Sequence, residues 1–249
     1  MRKSQRIMNA PGSAQRRIAV YLMKRKQIVS IALAAIAAAC LLFSAFAHGS
    51  AAAGGDEGEE RRRSLGAKTL ASPCPVWVIG SYDVQGKPNV MTASWAGICC
   101  SRPPCVAVSL RAATYTHGNI MKSRAFTVSV PSERHASAAA YFGSVSGRDT
   151  DKFAATGLTA VRGDSVAAPY VREFPLVIEC RLLHTYELGL HTMFIGEIVS
   201  VHADESIVNE AGAPDLGKLR PILFGPGNEQ FYGVGGPLGS MKDLIDGMK

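Results

Sequence analysis

The chain has 249 residues, of which 47% are hydrophobic and 19% charged, with 25 glycines and 13 prolines. This composition suits one folded domain and excludes both a collagen-like polymer and an intrinsically disordered chain. The formal net charge of +7 comes from residues 1–27, which hold eight basic side chains and no acidic one, whereas residues 48–249 hold 19 basic and 20 acidic side chains. Because a surface that binds nucleic acid needs clustered positive charge, the sequence argues against nucleic acid as a partner.

The N-terminal segment, residues 1–47, is predicted to be a signal peptide or a membrane anchor. Twenty uncharged residues, Ile28 to Ala47, follow the basic block and end in Ala45-Phe46-Ala47, the small-residue pattern of a cleavage site. An uncleaved anchor stays open, since twenty apolar residues can also span a bilayer. Either interpretation predicts export, with the protein periplasmic or anchored facing the periplasm, and contact with a membrane only through an uncleaved segment.

The rest of the chain divides into a flexible linker over residues 48–63, rich in glycine and charge, and a folded domain over residues 64–249. The predicted strands are rich in β-branched and aromatic residues and cover 76–82, 89–98, 106–110, 125–130, 175–187 and 192–202. The predicted helices cover 114–122, 131–141 and 238–248. Many strands separated by turns, with few and short helices, predict a mainly β fold, an antiparallel barrel with short helical insertions.

Familiar catalytic and metal-binding motifs are missing. The sequence holds no His-Glu-x-x-His, no Gly-x-Ser-x-Gly and no Walker lysine loop. Five cysteines follow residue 47, and no two of them have Cys-x-x-Cys spacing, so the motifs predict no metal site. The disulfide state of these cysteines stays open.

Three polar stretches interrupt the apolar pattern. Residues 89–95 place polar side chains within a strand, and residues 109–119 carry Arg111 and hydroxyl groups where a strand turns into a helix, a natural cradle for phosphate. Residues 146–153 add Lys152 as a second cation and Phe153 as an aromatic wall. Taken singly, a solvated strand edge, ordinary helix capping by Thr114 and a charged turn would also explain these stretches.

Taken together and in order, these segments resemble one family. They include Gly86-Lys87-Pro88-Asn89-Val90-Met91-Thr92-Ala93-Ser94-Trp95, Pro103-Pro104, Ser109-Leu110-Arg111, Thr114-Tyr115-Thr116, Ser146-Gly147-Arg148-Asp149, Asp151-Lys152-Phe153 and Gly189-Leu190-His191-Thr192. The sequence is similar to the flavin reductase-like FMN-binding family, and most nearly to its flavoredoxin subgroup, from about Leu65 to Gly239. The resemblance implies a split β-barrel with Greek-key connections, a homodimer and one FMN per protomer near the dimer interface.

The resemblance also implies a set of site residues. The isoalloxazine ring and ribityl chain of FMN would be lined by Asn89, Val90, Met91, Thr92, Ala93 and Ser94. Ser109, Leu110 and Arg111 would lie beside the ring and the phosphate, and Thr116 and Lys152 would bind the phosphate with Phe153 packing nearby. His191 would face the open side of the flavin as the catalytic candidate, although a histidine satisfied inside the barrel is an alternative.

The implied function is electron exchange through bound FMN, either as a flavoredoxin-like carrier or as an NAD(P)H-dependent flavin reductase. Its partners would be a redox protein or NAD(P)H. The alternative is a non-catalytic flavin-binding module that delivers or stores FMN at the cell envelope. Because the flavin performs the redox chemistry, neither role requires a protein acid or nucleophile.

Overall fold

The structure, a computed structural model, describes residues 62–248. The predicted signal peptide or anchor, and all but the last two residues of the predicted linker, lie outside the described residues. None of the described helices is both long enough and apolar enough to cross a bilayer.

Strands dominate the described residues, so the mainly β prediction is confirmed. The strands are β1 (Cys74–Pro75), β2 (Trp77–Tyr82), β3 (Pro88–Ala93), β4 (Ala96–Ser101), β5 (Pro104–Arg111), β6 (Ala125–Val130), β7 (Ala160–Arg162), β8 (Pro169–Val171), β9 (Leu176–Leu188), β10 (His191–Ala203), β11 (Leu223–Gly225) and β12 (Gln230–Tyr232). The helices are α1 (Tyr115–Ser123), α2 (Ala136–Ser144), α3 (Lys152–Thr156), α4 (Leu216–Leu219) and α5 (Met241–Asp246), with single 3-10 turns at Glu133–His135 and Glu205–Ile207.

The main sheet has seven antiparallel strands in the order β3-β2-β6-β9-β10-β5-β4. Its two edge strands, β3 and β4, follow one another in the chain and are joined only by Ser94 and Trp95. The two edges must therefore meet at this link, and the sheet curls into a barrel that stays open between them. A smaller sheet, β1-β11-β12, and a two-stranded sheet, β7-β8, complete the strands.

The link corrects the prediction of one continuous strand over 89–98. The backbone N–H of Ser109, on β5, donates to the carbonyl of Trp95 at 2.9 Å. The chain therefore leaves one edge of the sheet at Ala93 and joins the other at Ala96, which no single strand can do. The alternation of apolar and polar residues runs from Met91 to Trp95, so it extends into the link and does not mark the end of β3 at Ala93.

The barrel interior is apolar and closely packed. It contains the buried side chains of Ile79, Val106, Val108, Leu110, Phe126 and Phe194, among others. A second cluster, which includes Val90, Phe142 and Phe153, packs helices α2 and α3 against β2 and β3. Strand β3 is therefore supported from one face, while no strand within residues 62–248 pairs with its outer edge.

Close packing at Gly196 on β10 gives a first prediction. A Cβ at this position would lie 2.4 Å from Cζ of Phe126 and 3.0 Å from Cβ of Cys180. We expect Gly196→Ala to lower the free energy of unfolding by about 1–3 kcal/mol, because neither neighbour can move without disturbing the core. The measurement is urea denaturation followed by tryptophan fluorescence.

The matched control is Gly97→Ala on edge strand β4, where an added Cβ meets nothing within 4 Å. Its unfolding free energy should stay within about 0.5 kcal/mol of the parent value. Equal losses in both variants would contradict the packing described for the barrel interior.

Candidate functional site

A polar cavity of about 320 Å³ lies beside strand β3. It is enclosed by β3, the first turn of α1, the end of α2 and the loop that leads to α3, through Asn89, Met91, Arg111, Ala113, Thr114, Tyr115, Thr116, Phe142, Gly143, Ser144, Val145, Ser146, Gly147, Arg148 and Lys152. Three of the polar stretches seen in the sequence therefore meet around one cavity.

Asn89 lies in the wall of the polar cavity and is only 4% exposed. Its Nδ2 donates to Oγ1 of Thr116 at 2.9 Å and reaches Oγ of Ser81 at 3.4 Å. Its Oδ1 is buried and has no hydrogen-bond partner in the part of the chain that the structure describes. A buried carbonyl oxygen without a donor is costly, so this atom is suited to accept a hydrogen bond from a hydroxyl group of a bound molecule.

Lys152, the first residue of α3, is also 4% exposed. Its Nζ donates to the carbonyls of Val90 and Phe142, each at 2.8 Å. Burial lowers the pKa of this ammonium group from 10.5 to about 8. Since an ammonium group has three donors, one N–H remains for an anion in the polar cavity, and an anion there would stabilise the charged form.

The loop of residues 146–149 closes the polar cavity against Asn89 and α1. A Cβ on Gly147 would lie 2.0 Å from Oδ1 of Asn89, so only glycine allows this approach. Arg148 donates from Nη1 to the carbonyl of Ala113 at 2.8 Å, and its guanidinium lies 5.4 Å from the ring centre of Tyr115. Tyr115 in turn donates to Oδ2 of Asp83 at 2.8 Å, which ties the loop and α1 to the β2–β3 turn.

Helix α1 points its N-terminus at the polar cavity. Thr114 caps the helix by accepting the N–H of His117 at 3.3 Å, as the sequence predicts. The N–H groups of Tyr115 and Thr116 belong to the first turn, which has no carbonyl partners within the helix and carries the positive end of the helix dipole. His117 faces away from the cavity and contacts Oγ1 of Thr192 at 2.9 Å, which holds the helix against β10.

An aromatic cavity of about 390 Å³ adjoins the polar one and shares Met91, Arg111 and Thr114 with it. Its wall follows the opening of the barrel and the turn of the small sheet, through Thr69, Met91, Thr92, Ala93, Ser94, Trp95, Ser109, Leu110, Arg111, Thr114, His191, Phe224, Pro226 and Glu229. The rings of Trp95 and His191 lie 4.7 Å apart, centre to centre. These two rings therefore contact each other and form one aromatic wall, against which a flat, largely apolar ring system can pack.

The structure brings most of the predicted site residues to these two cavities. Asn89, Thr116 and Lys152 line the polar cavity, Met91 and Arg111 line both, and the aromatic cavity takes Thr92, Ala93, Ser94, Ser109, Leu110 and His191. Val90 and Phe153 differ from the expectation, because both side chains are buried in the cluster under α2 and α3. Val90 contributes only its carbonyl, which binds Lys152.

The wall residues that were not predicted as site residues include Trp95, Tyr115, Arg148 and Phe224. Trp95, Tyr115 and Arg148 lie in the three polar stretches. An aromatic or arginine side chain within a stretch that already contains a predicted ligand is the signal that could have identified them. Phe224 carries no such signal. It reaches the aromatic cavity only because β11 pairs with β1 in the small sheet, a long-range contact that local sequence cannot show.

The comparison with known proteins agrees with this geometry. The model of the flavin reductase like domain matches residues 70–228, which is more than half of the chain. The chain belongs to this family. It is 50% identical to the flavoredoxin of Desulfovibrio vulgaris (Miyazaki F), with a TM-score of 0.70, over 73% of this chain and 97% of that one.

Two more distant relatives define the fold and the range of the family. The FMN-binding domain of a flavin reductase-like enzyme from Shewanella baltica OS155 has a TM-score of 0.59 at 24% identity, over 67% of this chain and 88% of that one. The reductase component of a 4-nitrophenol monooxygenase from Rhodococcus opacus is 31% identical, over 51% of this chain and 63% of that protein. The predicted split barrel is confirmed by this likeness of fold. The family match and the 50% identity to a flavoredoxin support FMN as the predicted cofactor.

The residues present fit FMN. The polar cavity offers cations and a helix N-terminus for a phosphate, and the unpartnered Oδ1 of Asn89 offers an acceptor for a ribityl hydroxyl. The aromatic cavity has walls of aromatic side chains and lies beside the free edge of β3. Backbone groups at this edge can form hydrogen bonds with the edge of a flavin.

The close approach of Gly147 to Asn89 gives a second prediction. Gly147→Ala should weaken FMN binding at least about tenfold, because the new methyl group displaces the Asn89 carboxamide from the cavity wall. The measurement is an equilibrium titration of the apoprotein by flavin fluorescence.

The control is Gly118→Ala within α1, where an added Cβ meets nothing within 4 Å. Its affinity for FMN should equal that of the parent protein. An unchanged affinity in Gly147→Ala would remove Asn89 from the binding site.

Proposed function

We propose that this protein is a flavoredoxin-like electron carrier that exchanges electrons with a redox protein through one bound FMN. The observation that carries the proposal is the joining of a cationic, phosphate-sized cavity to an aromatic one at the open edge of the barrel. The 50% identity to a flavoredoxin over nearly all of that chain supports the carrier role.

Bound FMN would supply the redox chemistry at its ring. The described residues have the tasks of binding, orienting and shielding it. Lys152, Arg111 and the first turn of α1 neutralise the phosphate, and Asn89 fixes the ribityl chain. Trp95, His191 and Phe224 wall the ring, so that they exclude water and leave one approach for a partner.

A second candidate is an NAD(P)H-dependent flavin reductase. It is supported by the sequence relationship to the reductase component of a monooxygenase. In this case a nicotinamide ring would enter the aromatic cavity beside His191, which would position it rather than exchange protons with it. The flavin-storage alternative differs from both candidates, because it requires FMN binding without electron exchange.

Anaerobic reduction separates these candidates. The holoprotein should absorb near 450 nm, as oxidised flavins do. A carrier should lose this absorbance rapidly when mixed with a reduced low-potential redox protein, and only slowly with excess NADH or NADPH. Rapid bleaching by either nucleotide would replace the carrier by the reductase, and a lack of bleaching by all three donors would leave the storage module.

The buried lysine gives a pH prediction. The pKa of Lys152 is lowered to about 8 by burial, so the apoprotein loses this charge as the pH rises above 8. A phosphate beside Nζ favours the charged form, and FMN affinity should therefore fall between pH 7 and pH 9.5, by up to about tenfold per pH unit. The measurement is the dissociation constant of FMN at each pH.

Lys152→Met should bind FMN more weakly and with little dependence on pH over this range. The matched control, Lys122→Met, changes an exposed lysine in the last turn of α1 and should keep the pH dependence of the parent protein. A parent affinity that does not change with pH would separate Lys152 from the phosphate.

Export and dimerisation belong to the same proposal. The basic and apolar N-terminal pattern supports export, which fractionation of cells with an antibody against the folded domain would test. Tyr186, Leu188 and Leu190 at the β9–β10 turn are 52%, 57% and 63% exposed, and a homodimer contact would cover them. Sedimentation of the holoprotein would test the dimer.

A further inference from the structure

A second group of ligand-type side chains lies at the end of β10 remote from His191. Asp164, Glu179 and His202 bring one nitrogen and two carboxylate oxygens within 4.8 Å of one another. His202 follows His191 by eleven residues on the same strand, a separation of at most roughly 36 Å at 3.3 Å per residue, and none of the three residues lines either cavity of the flavin site. The group is therefore independent of the flavin site and of the function proposed for it.

A β-bulge creates this group. The pairing of β9 and β10 shifts between Ile198 and Ser200, so that Ser200 lies opposite Glu179. Because alternate residues of a strand share a face, the shift also brings His202 to the face of Glu179. Without the extra residue, Val199 and Val201 would occupy these places. A bulge that re-aims a side chain in this way is a common device at binding sites.

The carboxylate of Glu179 is fully buried and held in a fixed position. Its Oε2 accepts the N–H groups of Ser165 at 2.7 Å and Val166 at 2.9 Å, and its Oε1 accepts the N–H of Asp164 at 3.1 Å. A carboxylate has about four acceptor sites, so one remains, on Oε1. Nε2 of His202 lies 3.0 Å from this oxygen.

His202 completes the geometry. Its Nε2 is also 3.0 Å from Oγ of Ser200, so one nitrogen faces two oxygens while it carries either one proton or one lone pair. The side chain of Asp164 is exposed and lies next to Glu179, because the backbone N–H of Asp164 donates to Oε1 of Glu179. Donors on two strands and one loop thus converge with an open side toward solvent.

We propose that Asp164, Glu179 and His202 bind a divalent transition-metal ion, with Zn²⁺ the best match. Imidazole nitrogen and carboxylate oxygen are ordinary zinc ligands, and three protein ligands leave a position for water. The metal takes the lone pair of Nε2, and any proton on that nitrogen goes to solvent. Its role is to fix the 163–168 loop to β9 and β10. A Cβ on Gly163 would lie 2.7 Å from Oε2 of Glu179, so glycine allows the loop to pass this close to the carboxylate.

The test is calorimetric titration of the untagged, metal-stripped holoprotein with zinc sulfate. We expect one Zn²⁺ per chain and a higher unfolding temperature in its presence. His202→Ala and Asp164→Asn change exposed side chains and should each weaken zinc binding at least about tenfold. His184→Ala, which changes an exposed histidine on β9 outside the group, should bind zinc as the parent protein does.

Cys99 and Cys100 are exposed thiols that could also bind zinc, so the Cys99→Ser, Cys100→Ser double variant is part of the test. It should retain the site. Flavin absorbance and circular dichroism establish that each variant is folded, the second independently of FMN. Absence of zinc binding, binding that survives His202→Ala, or binding lost in the double thiol variant would each overturn the proposal.

Discussion

Strand β3 forms one edge of the main sheet and lies beside both cavities of the candidate site. The main sheet begins at β3 and ends at β4, and only Ser94 and Trp95 separate these strands in the chain. Closing the barrel would pair the two edges and fill the opening with main-chain hydrogen bonds. Because the edges meet at one point only, β3 remains an edge strand beside two cavities. One face of β3 packs against α2 and α3.

Holding that edge in place requires polar groups in a buried setting. Lys152 is tied to the carbonyls of Val90 and Phe142, so one ammonium group joins β3, α2 and α3. Asn89 joins β3 to α1 through Thr116, and His117 joins α1 to β10 through Thr192. Burying a charge and an unpaired carbonyl oxygen is unfavourable for the protein alone, which is the expected condition of a site completed by an anionic, hydroxyl-bearing ligand.

Local patterns predicted most of the strands, the cap at Thr114 and the short helices, because those features depend on neighbouring residues. The family resemblance, rather than local pattern, pointed to Asn89, Arg111, Thr116 and Lys152, which line one cavity in the structure. Local patterns could not show the crossing at Trp95, the burial of Phe153 or the approach of Phe224, each of which depends on contacts far apart in the chain. The sequence does not show the bulge at Val199 either. His202, whose face of the sheet is set by this bulge, is therefore not recognisable as a ligand from the sequence.

FMN is proposed to lie along the free edge of β3, with its phosphate at α1. Amide hydrogen exchange of the protein with and without FMN tests this placement. We expect new protection within residues 89–94 and at Tyr115 and Thr116, with little change in the already paired strands β6 and β9. Protection that appears elsewhere, or no change on adding saturating FMN, would rule out this placement of the cofactor.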